Sequence, residues 1–515
     1  MPFNSMQKSF SKEALGYIST IIDIKFVETT NSTGVNTLNF ANNSQVGSSG
    51  YATYPSSSAW GSDIFMNSSA DNLSPKDGSY AGLALIHEIG HSLGLKHPFS
   101  HPNASGDVGE GPYLPNAEDT TAATVMSYTN NPAQYHPQYS PLDIAALQYL
   151  YGPSLSARTG NDTYTVSSSA SNFVWDGAGS DTLSASALST AVTLYLEPGY
   201  WGYIGGKSAL ITDPGQVTVN FGTVIETLIG GSGNDSLYGN SIANFISGGV
   251  GNDCITGGAG NDDIDGAIGS DIAVFSGSLS QYNITQSNGR ITVSDQVVGR
   301  DGTDLLSNIE KLTFADYSIN TTMKTEAAKL PSATVNSIVE LYVAYFARTP
   351  DASGLSYWIN KAAGGESLTD IAKEFYNAGV QFSSLTGYSA TMANNDFTKI
   401  VYSNVLGRTG ATAPNADELG YWDNRIKTGL TTKEGLIQKM LSDAHSFAGD
   451  PTWGWVPKLL DNKISVGYQA AVTYGLDYNS SSDAITQGMA IAHAVTPTDT
   501  SAAVGLIGVA GHVFL

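Results

Sequence analysis

The chain has 515 residues, 41% of them apolar, with 46 acidic against 23 basic side chains and a formal charge of −23. That length allows roughly three or four domains, each with its own core. The acidic surplus excludes nucleic acid and anionic lipid as partners, because both need a basic surface, and it suits hard cations such as calcium.

The one cysteine, Cys254, rules out an internal disulfide and reads as structural. No apolar run is long enough for a membrane span. The opening MPFNSMQKSFSKEALGYISTIIDIKF lacks a basic segment followed by an apolar one, so no secretory leader is expected in it.

Residues 1–153 read as mixed α and β. Ser11 is the expected N-cap of a first helix that puts Ala14, Leu15, Ile18, Ile21 and Ile22 on one face. IKFVET, NTLNFA, GYATYP and SDIFMN read as short strands between polar turns. YAGLALIHEIGHSLGL is apolar at helical spacing and is expected to stop at Gly94; SPLDIAALQYLYG, Ser140 to Gly152, is a further helix.

The second of these helices carries HEIGHSLGLKHP, which holds three of the eight histidines. His87 and His91, four apart, lie one turn above the other and can aim two imidazoles at one point. Glycine at position 94 can turn the chain back so that His97 reaches the same point. Three ligands leave zinc one open position for water, and Glu88 can reach that water as a general base without being a ligand. A histidine pair alone would more often be an accident of a helix surface. The glutamate, the glycine and the third histidine complete HExxHxxGxxH, a zinc-peptidase signature. His101 and His136 are expected to be polar surface residues.

The stretch resembles the metzincin metalloproteases, and ATVMSY supplies the methionine turn of that family, with Met126 expected beneath the metal. Tyr128, two residues on, resembles the serralysin branch, where such a tyrosine is a labile metal ligand that stabilises the oxyanion. HP at 97–98, EDTTAATVMSY and DIAALQYLYG also look like serralysin segments. The resemblance implies that GYATYP is an edge strand that pairs with an extended peptide substrate. Metzincins carry a strand ahead of the first helix, and MPFNSMQKSF is a poor one, so that strand is expected to be missing.

From 154 to 322 the chain turns to short alternating stretches with Gly, Asn and Asp turns, and from Gly230 to Val274 it repeats every nine residues. The nonapeptide reads as a calcium-binding parallel β-helix, with two repeats per coil. Leu237, Ile246, Ile255 and Ile264 should point into the coil. The glycines, Gly230 and Gly248 among them, should permit tight half-turns and expose carbonyls. One edge then carries Asp235, Asp253 and Asp271, and the other Asn244 and Asp262. This again looks like the serralysins with their repeat-in-toxin domain. The resemblance implies further calcium ligands at Arg158 and Gly160, through their carbonyls, and at Asp176 and Asp181. Extracellular sites of this type bind calcium at roughly 10⁻⁴–10⁻³ M, so the domain is expected to stay unfolded in the cytoplasm and fold outside. The resemblance implies bacterial type I export with an uncleaved C-terminal signal, and the chain is expected to be a monomer.

Residues 323–335 read as a linker. Residues 336–450 carry a duplicated helical unit in which Tyr342, Arg348 and Tyr357-Trp358 match Tyr402, Arg408 and Tyr421-Trp422; this resembles a helical domain often joined to secreted repeat-in-toxin proteins. Residues 451–515 read as a tail that ends in an apolar export signal. The expected fold is multi-domain: an α+β metzincin domain, a parallel β-helix and an all-α C-terminal domain. The expected function is a secreted, calcium-stabilised zinc endopeptidase. The competing reading is a calcium-dependent adhesion protein with a vestigial protease domain, against which the intact Glu88 and Tyr128 weigh.

Overall fold

The computed structural model describes residues 1–30, 33–58, 60–99, 111–130, 135–509 and 513–514. The chain forms two compact units, Met1–Asp253 and Cys254–Leu515, divided inside the nonapeptide run.

In the first unit, α1 spans Ser5–Ile18 and starts at Asn4, not at the expected Ser11. Asn4 and Gln7 bond each other's backbone amides at 2.9 and 3.1 Å, a capping box that extends the helix upstream of Ser11. Ser11 is therefore buried within the helix, beside Phe10, Ala14 and Ile18. Strands β1 (Phe40–Asn43), β2 (Gly50–Ala52) and β3 (Ile64–Asn67) form a sheet in the order β1-β3-β2, which leaves β2 on the edge. β3 runs parallel to β1 and antiparallel to β2. IKFVET, expected as a strand, forms none. Its side chains are largely exposed, and among the described residues no strand lies beside it to form a ladder.

Helix α2 (Tyr80–Ser92) is buried on every residue from Ala81 onward, as an apolar helix inside a core should be. Gly94 takes φ +98° and ends it. Helix α3 (Pro141–Tyr151) opens on Ser140 and Pro141 and stops at Gly152, at φ +73°.

Short strands follow: β4 (Thr163–Thr165), β5 (Asn172–Val174), β6 (Thr182–Ser184), β7 (Val192–Tyr195), β8 (Gly202–Ile204), β9 (Gln216–Val219), β10 (Thr227–Ile229), β11 (Ser236–Tyr238) and β12 (Phe245–Val250). β4, β6, β10 and β12 stack in parallel, with Leu183, Leu228 and Ile246 in register; Leu194 and Leu237 align likewise across β7 and β11. These leucines and Ile246 are fully buried, so every turn of the coil buries its apolar position. Phe245 lies beside Thr227, which makes one coil two nine-residue repeats.

The second unit begins with β13 (Cys254–Thr256), β14 (Asp263–Ile268) and β15 (Ile272–Val274), in which Cys254 pairs with Ile272. Ile255 and Ile264 are buried as the period requires. β16 (Tyr282–Ser287), β17 (Arg290–Asp295) and β18 (Thr303–Ser307) form an antiparallel meander, followed by β19 (Lys311–Thr313) and β20 (Tyr317–Asn320). Cys254 is a free, half-buried thiol whose pKa is raised by burial.

The remainder is helical. The stretch read as a linker holds α4 (Met323–Ala327), with Met323 and Ala327 buried in the helical core. Then come α5 (Ser332–Phe346), α6 (Ala352–Ala363), α7 (Leu368–Gln381), α8 (Ser383–Thr386), α9 (Asn394–Leu406), α10 (Ala416–Lys427) and α11 (Lys433–Ser446). Residues 451–515 carry α12 (Trp455–Tyr468), β21 (Leu476–Tyr478), α13 (Ser481–Ala494), α14 (Ser501–Ile507) and β22 (Val513–Phe514). Val456, Leu460, Ala471 and Val472 lie in the same buried cluster as Val335 and Ala444. No helix among the described residues is long and apolar enough to cross a membrane.

Candidate metal centre

Three imidazoles meet at the end of α2. The Nε2 atom of His97 lies 3.3 Å from that of His87 and 3.1 Å from that of His91. Ligands about 2.0–2.1 Å from a tetrahedral zinc stand roughly 3.3–3.4 Å apart, so the spacing fits that ion. Each helix histidine is oriented from behind. His87 Nδ1 donates to the Val125 carbonyl at 2.9 Å, and His91 Nδ1 donates to the Leu95 carbonyl at 2.7 Å. A carbonyl has no proton to give, so Nδ1 carries the hydrogen and Nε2 presents its lone pair. Burial lowers both pKa values, that of His87 to about 4, which keeps the rings neutral at pH 7. Lone pairs this close repel one another unless a cation lies between them.

The Gly94 turn does two things. It brings His97 back toward the helix, and it places Leu95, whose amide bonds the Gly90 carbonyl at 2.9 Å, where its own carbonyl holds His91.

Glu88 is buried beside this centre, and its Oε2 has no hydrogen-bond partner among the described residues. Desolvation pushes its pKa up to about 8. A Cβ on Gly50 of β2 would come within 2.8 Å of the Glu88 Cγ, so glycine there lets the edge strand close over the carboxylate.

Met126 is buried and lies against Gly90, where an added Cβ would meet its sulfur at 2.6 Å. The turn that carries it is braced by Asp143 of α3. That carboxylate accepts bonds from the Thr124 hydroxyl at 2.6 Å, the Val125 amide at 2.7 Å and the Ser140 amide at 3.0 Å. Its pKa is nevertheless raised to about 7, with burial the largest cause. Val125 thus links Asp143 to His87, amide on one side and carbonyl on the other. Tyr128 stands at the rim, exposed, its ring 4.7 Å from that of His97 and 5.8 Å from that of His87. Tyr54 sets its ring edge-on to His91 at 5.5 Å.

Gly50, Tyr54, Gly90 and Asp143 escaped the sequence reading. Gly50 and Tyr54 lay within GYATYP without roles of their own, and Asp143 left a trace three residues after Ser140 in a capping-box spacing. His136 pairs with Asp77 at 2.6 Å on the surface, and His101 lies outside the described residues.

A second set of acidic side chains runs along the coil. Asp162, Asp176 and Asp181 bring carboxylate oxygens within 4.8 Å of one another. The Gly160 carbonyl faces Gly179, where a Cβ would sit 1.9 Å from that oxygen. The Arg158 carbonyl takes the amides of Gly177 and Ala178 at 3.4 and 3.3 Å, while its guanidinium lies over Trp175. Further along, the Gly248 carbonyl comes within 2.0 Å of where a Cβ on Gly230 would be, beside Asp235. Carbonyl-lined cradles that a single methyl would fill, next to buried carboxylates, match the donor set of calcium.

The acids also follow a rule along the coil. The Asp162 amide is bonded by Asp181, that of Asp181 by Glu226, and that of Asp235 by Asp253. In the second unit Asp304 bonds the Asp262 amide and Glu310 bonds that of Asp271. Glu226, Asp304 and Glu310 were missed, although VIETL and NIEKL repeat one Ile-Glu-x-Leu pattern. With no cation beside them, burial raises the pKa of Asp181, Asp235 and Asp253, and that of Asp304 to about 8. Asn244 bonds the Asn240 amide at 2.9 Å with its side-chain oxygen.

Comparison with known proteins adds the family context. Residues 142–353 match the family described as peptidase M10 serralysin C terminal. The chain is 33% identical over 285 residues to serralysin of Proteus mirabilis and 34% over 271 residues to serralysin G of Dickeya chrysanthemi. It is 33% identical over 278 residues to metalloprotease AprA of Pseudomonas entomophila. Each of these alignments covers 47% of this chain and 55% of the relative, so the chain spans about half the length of the curated relatives it matches.

Proposed function

We propose that this chain is a secreted, calcium-stabilised zinc endopeptidase of the serralysin type, with residues 1–153 as its metzincin-like domain. The observation that carries the reading is the convergence of three Nε2 lone pairs at 3.1 and 3.3 Å, two of them on buried rings fixed by carbonyls behind them.

His87, His91 and His97 would hold the zinc. When bound there, zinc supplies a polarised scissile carbonyl and a water whose pKa falls towards about 7. Glu88 takes that water's proton and passes it to the leaving amine. Burial alone keeps Glu88 protonated at neutral pH, so it needs a neighbouring positive charge before it can serve as a base. Tyr128 donates a hydrogen bond to the oxyanion, and Met126 supports the ligands from below. The exposed edge of β2 pairs with the backbone of an extended peptide, which makes recognition depend little on substrate side chains.

Arg158, Gly160, Asp176, Asp181, Gly230, Asp235, Gly248, Asp253, Asp262 and Asp271 would hold calcium along the coil. Sites of this kind are empty at cytoplasmic calcium and filled outside the cell, which fits export through a type I system before folding.

The test is casein cleavage by zinc- and calcium-loaded protein. Glu88→Ala should lower kcat by about 10²–10⁴-fold with the zinc content unchanged. Equal turnover by the two proteins would remove the proposed mechanism and leave the adhesion reading in its place.

A further inference from the structure

The two copies of the helical repeat differ at one position that decides what their arginines do. α6 and α10 open on the N-caps Asp351 and Asn415 and run in step to Tyr357-Trp358 and Tyr421-Trp422. Three residues after Asn415 stands Glu418; three residues after Asp351 stands Gly354.

In the second copy the Arg408 guanidinium is fully engaged. Its Nε donates to the Thr412 carbonyl at 2.8 Å, and Nη1 and Nη2 donate to the two Glu418 oxygens at 2.6 and 2.9 Å. Tyr402 and Trp453 cover it at 5.0 and 5.3 Å.

In the first copy Arg348 keeps the tyrosine, lying 4.9 Å from the Tyr342 ring, but loses the glutamate. Only Nη1 is engaged, with the Ala484 carbonyl at 3.1 Å and Asp351 at 3.3 Å. Nε and Nη2 have no hydrogen-bond partner among the described residues. Asp351 cannot come closer to them, because its carboxylate caps α6 on the Gly354 amide at 3.0 Å. Position 354 cannot supply the missing acid either: a Cβ there would lie 2.7 Å from the Tyr342 hydroxyl.

Arg348 lines a cavity of about 410 Å³. Its walls include Phe346, Trp358, Phe382, Leu385, Ile485 and Met489. Three other charged groups line it: Asp351, which pairs with the Nη1 end of Arg348 at 3.3 Å, and Lys311 and Asp477, which pair with each other at 3.3 Å. What remains is a guanidinium fork at one end of an apolar pocket of ligand size. We propose that this cavity binds a small organic carboxylate with an apolar body, whose carboxylate is held on the Nε and Nη2 edge that Arg348 leaves open. A planar fork favours a bidentate carboxylate, and the aromatic walls favour a ring or branched chain behind it.

The probe is phenylacetate, titrated by calorimetry into the full chain in calcium and zinc, with phenylacetamide as the uncharged counterpart. Phenylacetate should bind and the amide should not. Arg348→Lys keeps the charge and loses the fork, and should weaken binding about tenfold or more. Met489→Trp fills the apolar end and leaves Arg348 in place. It should abolish binding with the melting temperature unchanged, which separates occlusion from misfolding. The proposal is overturned if phenylacetate fails to bind at millimolar concentration or if the amide binds equally well. It is equally overturned if inorganic phosphate displaces phenylacetate at matching concentration, or if both variants bind as the parent does.

Discussion

Gly90 decides how closely the turn of Met126 approaches the helix that carries His87 and His91. It sits mid-helix, where alanine would ordinarily add about 0.5–1 kcal/mol of stability. Here the added methyl would meet the Met126 sulfur at 2.6 Å in a filled core, and overpacking of that kind costs about 1–3 kcal/mol. Gly90→Ala should therefore lower the melting temperature and weaken zinc binding, measured by competition with a chromogenic chelator. A variant that melts higher and binds zinc as tightly would show that the contact is not limiting. Residues of this kind were illegible in the sequence, since a glycine does not announce which neighbour it admits. His87, His91 and His97 were legible because a helical period and one glycine stop fix their relation without reference to the rest of the chain. Gly50, Tyr54 and Asp143 depend on contacts between segments far apart in sequence, which no local spacing encodes.

The strands of the coil are three to six residues long, too short to persist alone, and each is held by its neighbours above and below. What joins the edges of successive coils is the chain of carboxylates, each bonding the amide of the coil before it. Mutual repulsion among these acids opposes the stacking unless a cation intervenes. Chelation should accordingly abolish most of the β-structure between residues 155 and 320, read by far-UV circular dichroism; a spectrum unchanged in excess chelator would refute a calcium dependence. Asp181→Asn should shift the calcium midpoint upward about tenfold and leave the saturated spectrum intact. At this scale periodicity served well: the nine-residue repeat marked Leu237, Ile246, Ile255 and Ile264, and all four are buried. It failed where pairing, not pattern, decides. IKFVET alternates like a strand yet has no ladder neighbour, and α1 begins seven residues before Ser11, at Asn4, because a capping box was available there.

Across the whole molecule, a formal charge of −23 and a set of buried acids make stability a function of pH and, under the proposed calcium sites, of divalent cations as well. For Asp181, Asp235, Asp253 and Asp304 the folded pKa lies above the unfolded value, with Asp304 at about 8. Without cations the folded state then holds more protons than the unfolded one between about pH 4 and 8, so stability must fall as pH rises through that window. Calcium held by these carboxylates as proposed would reverse the sign: protons would compete with it, and stability would fall as pH drops. Melting temperatures followed from pH 5.5 to 8 should slope downward in chelator and upward in millimolar calcium. Parallel slopes in the two conditions would mean that the acids along the coil and the calcium sites are different groups. Opposite slopes would tie them together, and they would also explain how so acidic a chain can stay unfolded where calcium is scarce and fold where it is plentiful.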